Sequence, residues 1–182
     1  MAINPVPEYC RYLLEPIVGD SMLELGNKKS GDVTYKSWFT AQEIRHVSVD
    51  INGLDGALKL DLREPLNLGQ FDMVTNFGCT EHVVDNQYQV WKNIHEAVKL
   101  GGVYIGMCPA PGDWWWHGEW YPTEEFYEEF CFLNGYEVEI LAVGREHPNR
   151  NIDARLRKVR HPEDGFVMPG KGTLFYNQMR PR

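Results

Sequence analysis

The sequence predicts an α/β fold with a doubly wound, mostly parallel sheet, helices on both faces of that sheet, and a last strand expected to run antiparallel. Short apolar runs typical of buried strands alternate along the chain with segments whose apolar residues recur at helical spacing. Strands and helices that alternate in this way favour parallel pairing through right-handed crossovers. Several predicted strands end in a polar residue, and ligands of such sheets bind beyond the carboxyl ends of the strands. The pattern therefore also predicts where a ligand site lies.

The N-terminal half is predicted to hold one short helix and four strands. Apolar residues at helical spacing indicate a helix from Glu8 to Val18, which Pro16 shortens or kinks. The first strand ends at Gly26, where a turn is expected. The four predicted strands, of which the third is the weakest, are Ser21 to Leu25, His46 to Asp50, Ala57 to Leu62 and Phe71 to Thr75.

The C-terminal half is predicted to hold two helices and three strands. The first helix runs from Asn86 to Leu100 and ends at Gly101-Gly102, and the second runs from Glu124 to Leu133 with Thr123 as its cap. The predicted strands are Val103 to Met107, Tyr136 to Val143 and, last, Thr173 to Gln178. Residues 144–172 are long for a connection, so we expect a lid or a mobile loop there.

Length and composition fit one folded domain over residues 1–182, with its core at 20–143. The 182 residues are 43% hydrophobic and 24% charged, as in ordinary globular proteins. The net charge of −8 argues against broad binding of nucleic acids, which requires a basic face. The four cysteines contain no C-x-x-C pair, and no apolar run approaches ~18 residues. We therefore expect a cytoplasmic protein with reduced thiols and no membrane insertion.

Several motifs follow one another in a fixed order along the predicted sheet. They are Glu24 and Gly26 at the end of the first strand, Asp50 at the end of the second, Asp61, Phe71-Asp72-Met73-Val74, Glu81-His82-Val83, and Lys99-Leu100-Gly101-Gly102. This order resembles that of the class I S-adenosylmethionine-dependent methyltransferases, particularly the small-molecule type, and the resemblance covers about residues 20 to 143.

The resemblance implies S-adenosylmethionine as cofactor and assigns residues to it. A carboxylate at the end of the second strand can accept hydrogen bonds from both hydroxyls of a ribose, which is the role implied for Asp50. Asp61 is implied to approach the adenine amino group, with Leu62 beside it. The implied cofactor-binding residues are Glu24, Gly26, Asn27, Asp50, Ile51, Asp61, Leu62, Asn76, Phe77 and Gly78, of which the last three line the methionine arm. The alternative for Asp50 is a solvated turn residue or a helix N-cap.

The first turn departs from the family pattern. The family has a glycine-rich G-x-G-x-G run, whereas this chain has Gly26-Asn27-Lys28-Lys29-Ser30-Gly31. Lys28 would bring a side chain toward the cofactor where glycine normally permits close approach. Asn27 tolerates left-handed geometry, and Lys28 or Lys29 could attract the cofactor carboxylate. The same departure argues against a dinucleotide-binding reductase, which depends on G-x-G-x-x-G.

Methyl transfer needs few obligatory side chains. The donor is already activated, so the protein supplies proximity, orientation and, for a hydroxyl acceptor, a base. Histidine titrates near neutrality, and we take His82 and His117 as the candidate bases, with Asp113 and Glu119 as weaker candidates. The alternatives are that His117 is a surface-loop residue and that His82 packs or caps a turn.

Two further segments fit either a binding or a purely structural role. The aromatic-rich segment from Trp114 to Tyr121 could contact an acceptor and exclude water, or serve as a packing plug or dimer contact. One basic stretch could recognise a phosphate or carboxylate, or form a solvated loop. It consists of Arg145, Arg150, Arg155, Arg157, Lys158 and Arg160. The sequence contains no recognised metal-ligand spacing, and no metal is expected.

The sequence therefore predicts a methyltransferase that acts on a small molecule or glycan acceptor. The expected partner is a small-molecule substrate, with a homodimer as a further possibility and with neither nucleic acid nor membrane. The alternative is a binding or assembly module that kept the fold after losing catalysis, which the altered first turn favours.

Overall fold

The computed structural model describes residues 6–114, 117–144 and 149–170, and the backbone of 174–176. The helices in these residues are α1 (Glu8–Leu14), α2 (Lys36–Thr40), α3 (Gln87–Ala97) and α4 (Glu124–Asn134), and Thr80–His82 form a 3-10 turn. The first strands are β1 (Ser21–Leu25), β2 (Lys29–Ser30), β3 (Val33–Thr34), β4 (Arg45–Asp50), β5 (Leu58–Lys59) and β6 (Phe71–Phe77). The remaining strands are β7 (Val98–Pro109), β8 (Trp120–Pro122), β9 (Tyr136–Gly144), β10 (Asn151–Lys158) and β11 (Leu174–Tyr176).

One seven-stranded sheet organises the chain, in the order β5-β4-β1-β6-β7-β10-β9. The strands from β5 to β7 pair in parallel, whereas β10 runs antiparallel to both β7 and β9. This topology confirms the predicted fold class, with its antiparallel pairing confined to one end of the sheet. Two small hairpins, β2-β3 and β8-β11, lie outside the main sheet.

The sheet is covered on both faces because neighbouring residues of its central strands point to opposite sides. Leu23 of β1 and Val74 of β6 belong to the core cluster that includes the buried residues of α3 and α4. Their neighbours Met22 and Met73 belong to the second cluster, which includes residues of α1 and α2. The four cysteines form no disulfide. Among the described residues, no helix combines the length and apolarity needed to cross a bilayer.

The main departure from the predicted elements lies in 144–172. We expected a long loop or lid, but Asn151–Lys158 form β10, which lies between β7 and β9. The expectation of a loop over these residues is therefore wrong. Asp153 and Arg155 alternate with apolar residues and are nevertheless buried, so the strand has the charge pattern of an exposed segment. A lid formed by the rest of 144–172 stays a prediction.

Other boundaries also differ from the predictions. The helix expected to reach Leu100 ends at Ala97, because β7 begins at the next residue. The weak run Ala57 to Leu62 contributes only the two residues of β5. In the last predicted strand, the described residues 174–176 form β11, which pairs antiparallel with β8 outside the main sheet.

Two buried cations of β10 bind backbone oxygens where helices end. Arg155 donates to the backbone oxygen of Leu13 in the last turn of α1 at 2.6 Å, and to that of Pro16 just after α1 at 2.7 Å. Lys158 Nζ donates to the oxygens of His95 and Val98 at 2.8 and 3.1 Å, at the end of α3. Burial lowers the pKa of Lys158 to about 8. Helix ends leave carbonyl groups without intrahelical partners, and these cations satisfy them.

The other described members of the basic stretch are also engaged. Arg150 pairs with Asp113, Arg157 pairs with Glu139, and Arg160 donates to the backbone oxygen of Phe132. Arg145 lies outside the described residues. These contacts do not support the predicted role in anion recognition, and they replace the alternative of a solvated loop for the residues in β10.

Asp72 joins the amino ends of three neighbouring strands of the main sheet. Its carboxylate accepts hydrogen bonds from the hydroxyl and backbone N–H of Ser21 and from Lys99 Nζ, the last at 2.8 Å. The starts of β1, β6 and β7 are thereby joined. Burial disfavours the charged carboxylate, but the hydrogen bonds from Lys99 and Ser21 outweigh that effect and lower the pKa of Asp72 to about 2.

We predict that Asp72→Asn lowers the free energy of unfolding by about 1–2 kcal/mol at pH 7, because the ion pair with Lys99 is lost. The loss is modest because Lys99 is partly exposed, and solvent screening weakens the ion pair. The folded-state pKa lies below the unfolded value of ~3.9. The contribution is therefore present above that value and lost as the pH falls toward 2. Urea unfolding between pH 7 and pH 2 measures this window.

Asp164→Asn is the matched control, because Asp164 is exposed. Its unfolding free energy should stay within ~0.5 kcal/mol of the parent protein. A pH dependence that is the same for the parent protein and Asp72→Asn would contradict the assignment.

Candidate functional site

A cleft of about 410 Å³ opens where β1, β4 and β6 end at their carboxyl termini. This is the edge of the sheet at which the sequence predicts a ligand. The predicted site residues that line the cleft are Gly26, Asp50, Ile51, Asp61, Leu62, Gly78 and His82. The remaining predicted residues, Glu24, Asn27, Asn76, Phe77 and His117, lie outside its lining.

Glu24 and Asn27 shape the turn after β1. The buried Glu24 carboxylate accepts a hydrogen bond from the backbone N–H of Lys28 at 3.0 Å and contacts His46 Nε2 at 2.8 Å. Asn27 Nδ2 donates to the backbone oxygen of Leu54 at 3.0 Å. Gly26 has a φ of +83°, and a Cβ there would lie 2.8 Å from Cys79 Sγ. A glycine is therefore required where the turns after β1 and β6 approach each other.

The two lysines of this turn differ in direction. Lys28 Nζ donates to the backbone oxygen of Gly78 at 3.4 Å and so bridges the turns after β1 and β6. Lys29 pairs with Asp55 on the exposed surface. Of the two, Lys28, at the second glycine position of the family pattern, is therefore the one directed toward Gly78 and the turn after β6.

Asp50 retains hydrogen-bonding capacity at the wall of the cleft. Its Oδ1 accepts a hydrogen bond from the backbone N–H of Asn52 at 2.9 Å, which forms a local turn. Its Oδ2 has no hydrogen-bond partner among the residues that the structure describes. The neighbouring Ile51 is 62% exposed and adds an apolar surface beside that oxygen. Asp50 is thus both the predicted turn residue and a carboxylate available to a ligand.

Asp61 is already engaged by an arginine that the sequence analysis missed. Arg63 binds both carboxylate oxygens, with Nη2 at 2.6 Å from Oδ2. Hydrogen bonds from the Arg63 side chain and backbone lower the pKa of Asp61. A ligand amino group would therefore share this carboxylate with Arg63. Arg63 lines the cleft together with Leu62. Its position two residues after Asp61 was the only feature of the sequence that could have indicated this contact.

Asn76 holds the turn after β6 from below. The side chain is fully buried, and its Nδ2 donates to the hydroxyl oxygens of Thr80 and Tyr104 at 2.8 and 3.2 Å. Its Oδ1 accepts from the backbone N–H groups of Cys79 and Thr80. Asn76 therefore positions this turn, and its burial does not support the predicted contact with a methionine arm.

A second cavity of about 210 Å³ lies beside the first, and Gly78 lines both. Phe77, the last residue of β6, lines this second cavity rather than the cleft. The other residues around it are Tyr9, Lys28, Lys29, Tyr35, Glu81, Met107, Pro109, Trp114, His117 and Asn151. A ligand in the cleft would therefore have an aromatic-walled neighbour across Gly78.

Glu81, His82 and His117 meet where the two cavities adjoin. The Nε2 atoms of His82 and His117 lie 3.7 and 3.6 Å from Glu81 Oε1. The two imidazole rings pack edge to face at a centroid distance of 4.8 Å. Partial burial is the largest of the causes that lower the pKa of His82, and it favours the neutral ring. The structure thus brings both candidate bases together around the carboxylate of Glu81, which the sequence placed only in the ordered motif Glu81-His82-Val83.

The loop after β7 is fastened to this cluster. Glu119 donates its backbone N–H to the backbone oxygen of Glu81 at 2.8 Å. Asp113 accepts hydrogen bonds from the side chain of Arg150, which lower the pKa of Asp113. Its carboxylate is therefore engaged by Arg150, which does not support the predicted role as a base. Trp114 lines the second cavity while its Nε1 donates to the backbone oxygen of Arg150 at 2.8 Å. Residues 115 and 116 of the aromatic segment lie outside the described residues.

No protein-family model and no curated protein sequence matches this chain. Solved structures do match it. The 1,6-didemethyltoxoflavin-N1-methyltransferase of Burkholderia thailandensis, solved with 1,6-didemethyltoxoflavin and S-adenosylhomocysteine bound, has a TM-score of 0.62 at 16% identity over 84% of this chain and 77% of its own. A TehB-like S-adenosylmethionine-dependent methyltransferase of Corynebacterium glutamicum has a TM-score of 0.57 at 16% identity over 82% and 86%.

A third match is the O-methyltransferase of a trans-AT PKS multienzyme of Brevibacillus brevis, in complex with S-adenosylhomocysteine. Its TM-score is 0.58 at 10% identity, over 82% of this chain and 71% of its own. At such low identity these similarities show the fold alone. The chain has the Rossmann-like methyltransferase fold, and the resemblance stated from the sequence is confirmed at that level.

We predict that Asn76→Ala lowers the free energy of unfolding by about 2–4 kcal/mol. The substitution leaves the buried N–H groups of Cys79 and Thr80 without their acceptor and the Tyr104 hydroxyl without its donor. Denaturant unfolding measures the change. Asn52→Ala, in an exposed turn, should cost less than ~1 kcal/mol. Equal losses in the two variants would contradict the role of Asn76.

Proposed function

We propose that this protein transfers a methyl group from S-adenosylmethionine to a small molecule or a glycan. The observation that carries the proposal is the cleft of about 410 Å³ at the carboxyl ends of β1 and β4, with Asp50 at its wall. Two of the matching structures contain S-adenosylhomocysteine, the demethylated product of that cofactor. Fold and cleft together support the cofactor, while the acceptor rests on the second cavity.

The residues around the cleft fit a nucleoside. Asp50 Oδ2 can accept hydrogen bonds from the ribose hydroxyls, since the described residues leave it unpaired. Ile51 and Leu62 offer apolar contacts to a purine ring. Gly26 and Gly78 both have positive φ and no side chain, so a ligand can approach the backbone there. These residues follow the carboxyl ends of four strands, β1, β4, β5 and β6, as expected for this fold.

The cofactor supplies a methyl group already activated on a positively charged sulfur. The protein must then hold the acceptor in line and remove its proton if the acceptor is a hydroxyl. Neutral His82 can accept a proton, and His117 borders the second cavity where an acceptor fits. The buried Glu81 carboxylate lies 3.6 Å from His117 Nε2, beside the second cavity. This arrangement supports His82 and His117 as candidate bases.

The second cavity supports a small acceptor. A volume of about 210 Å³ is below the usual range of ~300–1,000 Å³ for ligand pockets, so it suits a small ring or one sugar unit. Trp114 and Tyr35 border it, and aromatic faces stack well on either kind of group.

The alternative function is a binding module without turnover, and Lys28 is the observation that favours it. Its side chain stands where the family pattern has glycine and reaches Gly78, between the two cavities. The same ammonium group could instead attract the cofactor carboxylate by a charge-assisted hydrogen bond. We propose that Lys28 attracts the cofactor carboxylate. Its side chain borders the second cavity and is not part of the lining of the cleft, so it does not obstruct the cleft.

Cofactor binding is tested first by thermal and chemical unfolding with S-adenosylmethionine or S-adenosylhomocysteine. Ligand at about 100 times its dissociation constant should stabilise the protein by ~2.7 kcal/mol. Asp50→Ala should abolish the shift. Asp50→Asn keeps the Oδ1 acceptor that binds the Asn52 N–H, so it tests the charge without loss of the turn. Asp32→Ala, on the exposed surface, is the control that should retain the shift.

Lys28→Ala should weaken binding of S-adenosylhomocysteine about tenfold in calorimetric titration, because one charge-assisted contact is lost. Lys29→Ala is the matched control and should bind normally, since Lys29 pairs with Asp55 instead. Tighter binding by Lys28→Ala would identify Lys28 as an obstruction and favour the module. Release of S-adenosylhomocysteine in the presence of small hydroxylated acceptors then separates an enzyme from a module.

A further inference from the structure

The geometry points to a divalent metal site formed by Glu81, His82 and His117, between the two cavities. Their candidate donor atoms all lie within 4.8 Å of one another, one from each residue. The binding of an ion stands on these residues alone, whereas its role in catalysis rests on the proposed methyl transfer. The sequence analysis expected no metal, because no recognised spacing of ligands is present.

The Glu81 carboxylate is buried without hydrogen bonds to the described residues. The side chain is fully buried, and neither oxygen accepts a hydrogen bond from any residue that the structure describes. A buried carboxylate without partners is costly, and proteins normally compensate it by a cation. Among the described residues Lys28 forms no hydrogen bond or ion pair with this carboxylate, and its Nζ donates to the backbone oxygen of Gly78 instead. The carboxylate therefore needs a positive partner at this place.

The imidazoles of His82 and His117 lie beyond hydrogen-bonding distance from Glu81, and the spacing favours a shared ion. Their Nε2 atoms lie 3.7 and 3.6 Å from Glu81 Oε1, too far for a hydrogen bond to that oxygen. Donors bound to one tetrahedral ion at ~2.0–2.2 Å are ~3.4 Å apart. The two distances to Glu81 are therefore close to those of ligands around a common ion, whereas the limit for all three donors is 4.8 Å. Both histidine side chains are partly exposed, 48% and 37%, so small ring movements can complete the geometry.

Backbone contacts hold Glu81, His82 and His117 together. Glu81 and His82 are neighbours in the 3-10 turn after β6, which Asn76 fastens from below. His117 lies on the loop after β7, and the backbone hydrogen bond from Glu119 to Glu81 holds this loop against that turn. A Cβ on Gly118 would lie only 2.8 Å from Glu81 Cγ, so glycine permits this close approach. The three ligands thus come from two segments that are tied to each other.

The ligand set indicates which ions fit. Two imidazole nitrogens and one carboxylate oxygen suit Zn²⁺ and the other first-row divalent transition ions, rather than Ca²⁺ or Mg²⁺, which prefer oxygen alone. Three protein ligands leave coordination positions open. His82 borders the cleft and His117 the second cavity, so these positions lie where an acceptor would meet the cofactor. An ion there would lower the pKa of an acceptor hydroxyl, whose proton would pass to the solvent that reaches this partly exposed cluster, and the imidazoles would then serve as ligands instead of bases.

The test uses the whole chain, freed of metal with a chelator and without S-adenosylmethionine. Titration with Co²⁺, followed by visible absorption, and with Zn²⁺, followed by calorimetry, should each show one ion per chain. Glu81→Gln and His117→Ala should each weaken binding at least ~100-fold, since loss of a direct ligand exceeds the 10–100-fold effects of outer contacts. His161→Ala removes an exposed histidine outside the cluster and should bind as the parent protein does.

Folding is checked on the same samples. Glu81→Gln removes a buried charge without a partner, so the metal-free variant should unfold no earlier than the parent protein. Absence of stoichiometric binding by the parent protein, or binding that survives both Glu81→Gln and His117→Ala, overturns the site.

The thermal shift with S-adenosylmethionine, measured on the metal-free protein, separates the two proposals. A cofactor shift without metal binding overturns the metal site and leaves the proposed methyl transfer intact. Metal binding without a cofactor shift supports the site and overturns its catalytic role together with the proposed function.

Discussion

The hydrogen bonds of the buried Asn76 side chain are the interaction on which the site depends. They join the end of β6 to the turn that follows it, through the N–H groups of Cys79 and Thr80, and to β7 through the hydroxyl of Tyr104. Gly78 is thereby placed between the two cavities, and Glu81 is carried into the interior. A buried amide can satisfy several groups at once only in a single orientation, so the turn has one conformation.

The sheet provides the second constraint. Because β4, β1 and β6 are parallel neighbours, their carboxyl ends meet at one edge, where Asp50, Gly26 and Gly78 come together. Asp72 joins the amino ends of β1, β6 and β7. At the antiparallel side of the sheet, Arg155 and Lys158 of β10 bind backbone oxygens at the ends of α1 and α3. The charged groups that hold these parts of the sheet, Asp72, Arg155 and Lys158, are thus separate from the residues that border the two cavities.

The first turn shows how a glycine-poor sequence keeps the geometry of this fold. The Glu24 carboxylate binds the backbone N–H of Lys28 and so holds the turn, while Asn27 takes a positive φ of 24°. Only Gly26 is required sterically, because Cys79 lies against it. Replacement of the second glycine by Lys28 therefore alters the chemistry beside Gly78 more than it alters the path of the backbone.

The α/β class, the central strands and the strand-end position of Asp50 could be predicted from the sequence, because apolar periodicity and terminal polar residues are local properties of a chain. Only the tertiary structure decided that Asn151–Lys158 form a strand, since the burial of Arg155 depends on carbonyl groups of a distant helix. The same holds for the meeting of Glu81 with His117 and for the capture of Asp61 by Arg63. Such contacts join turns and loops whose separation in space no local pattern records.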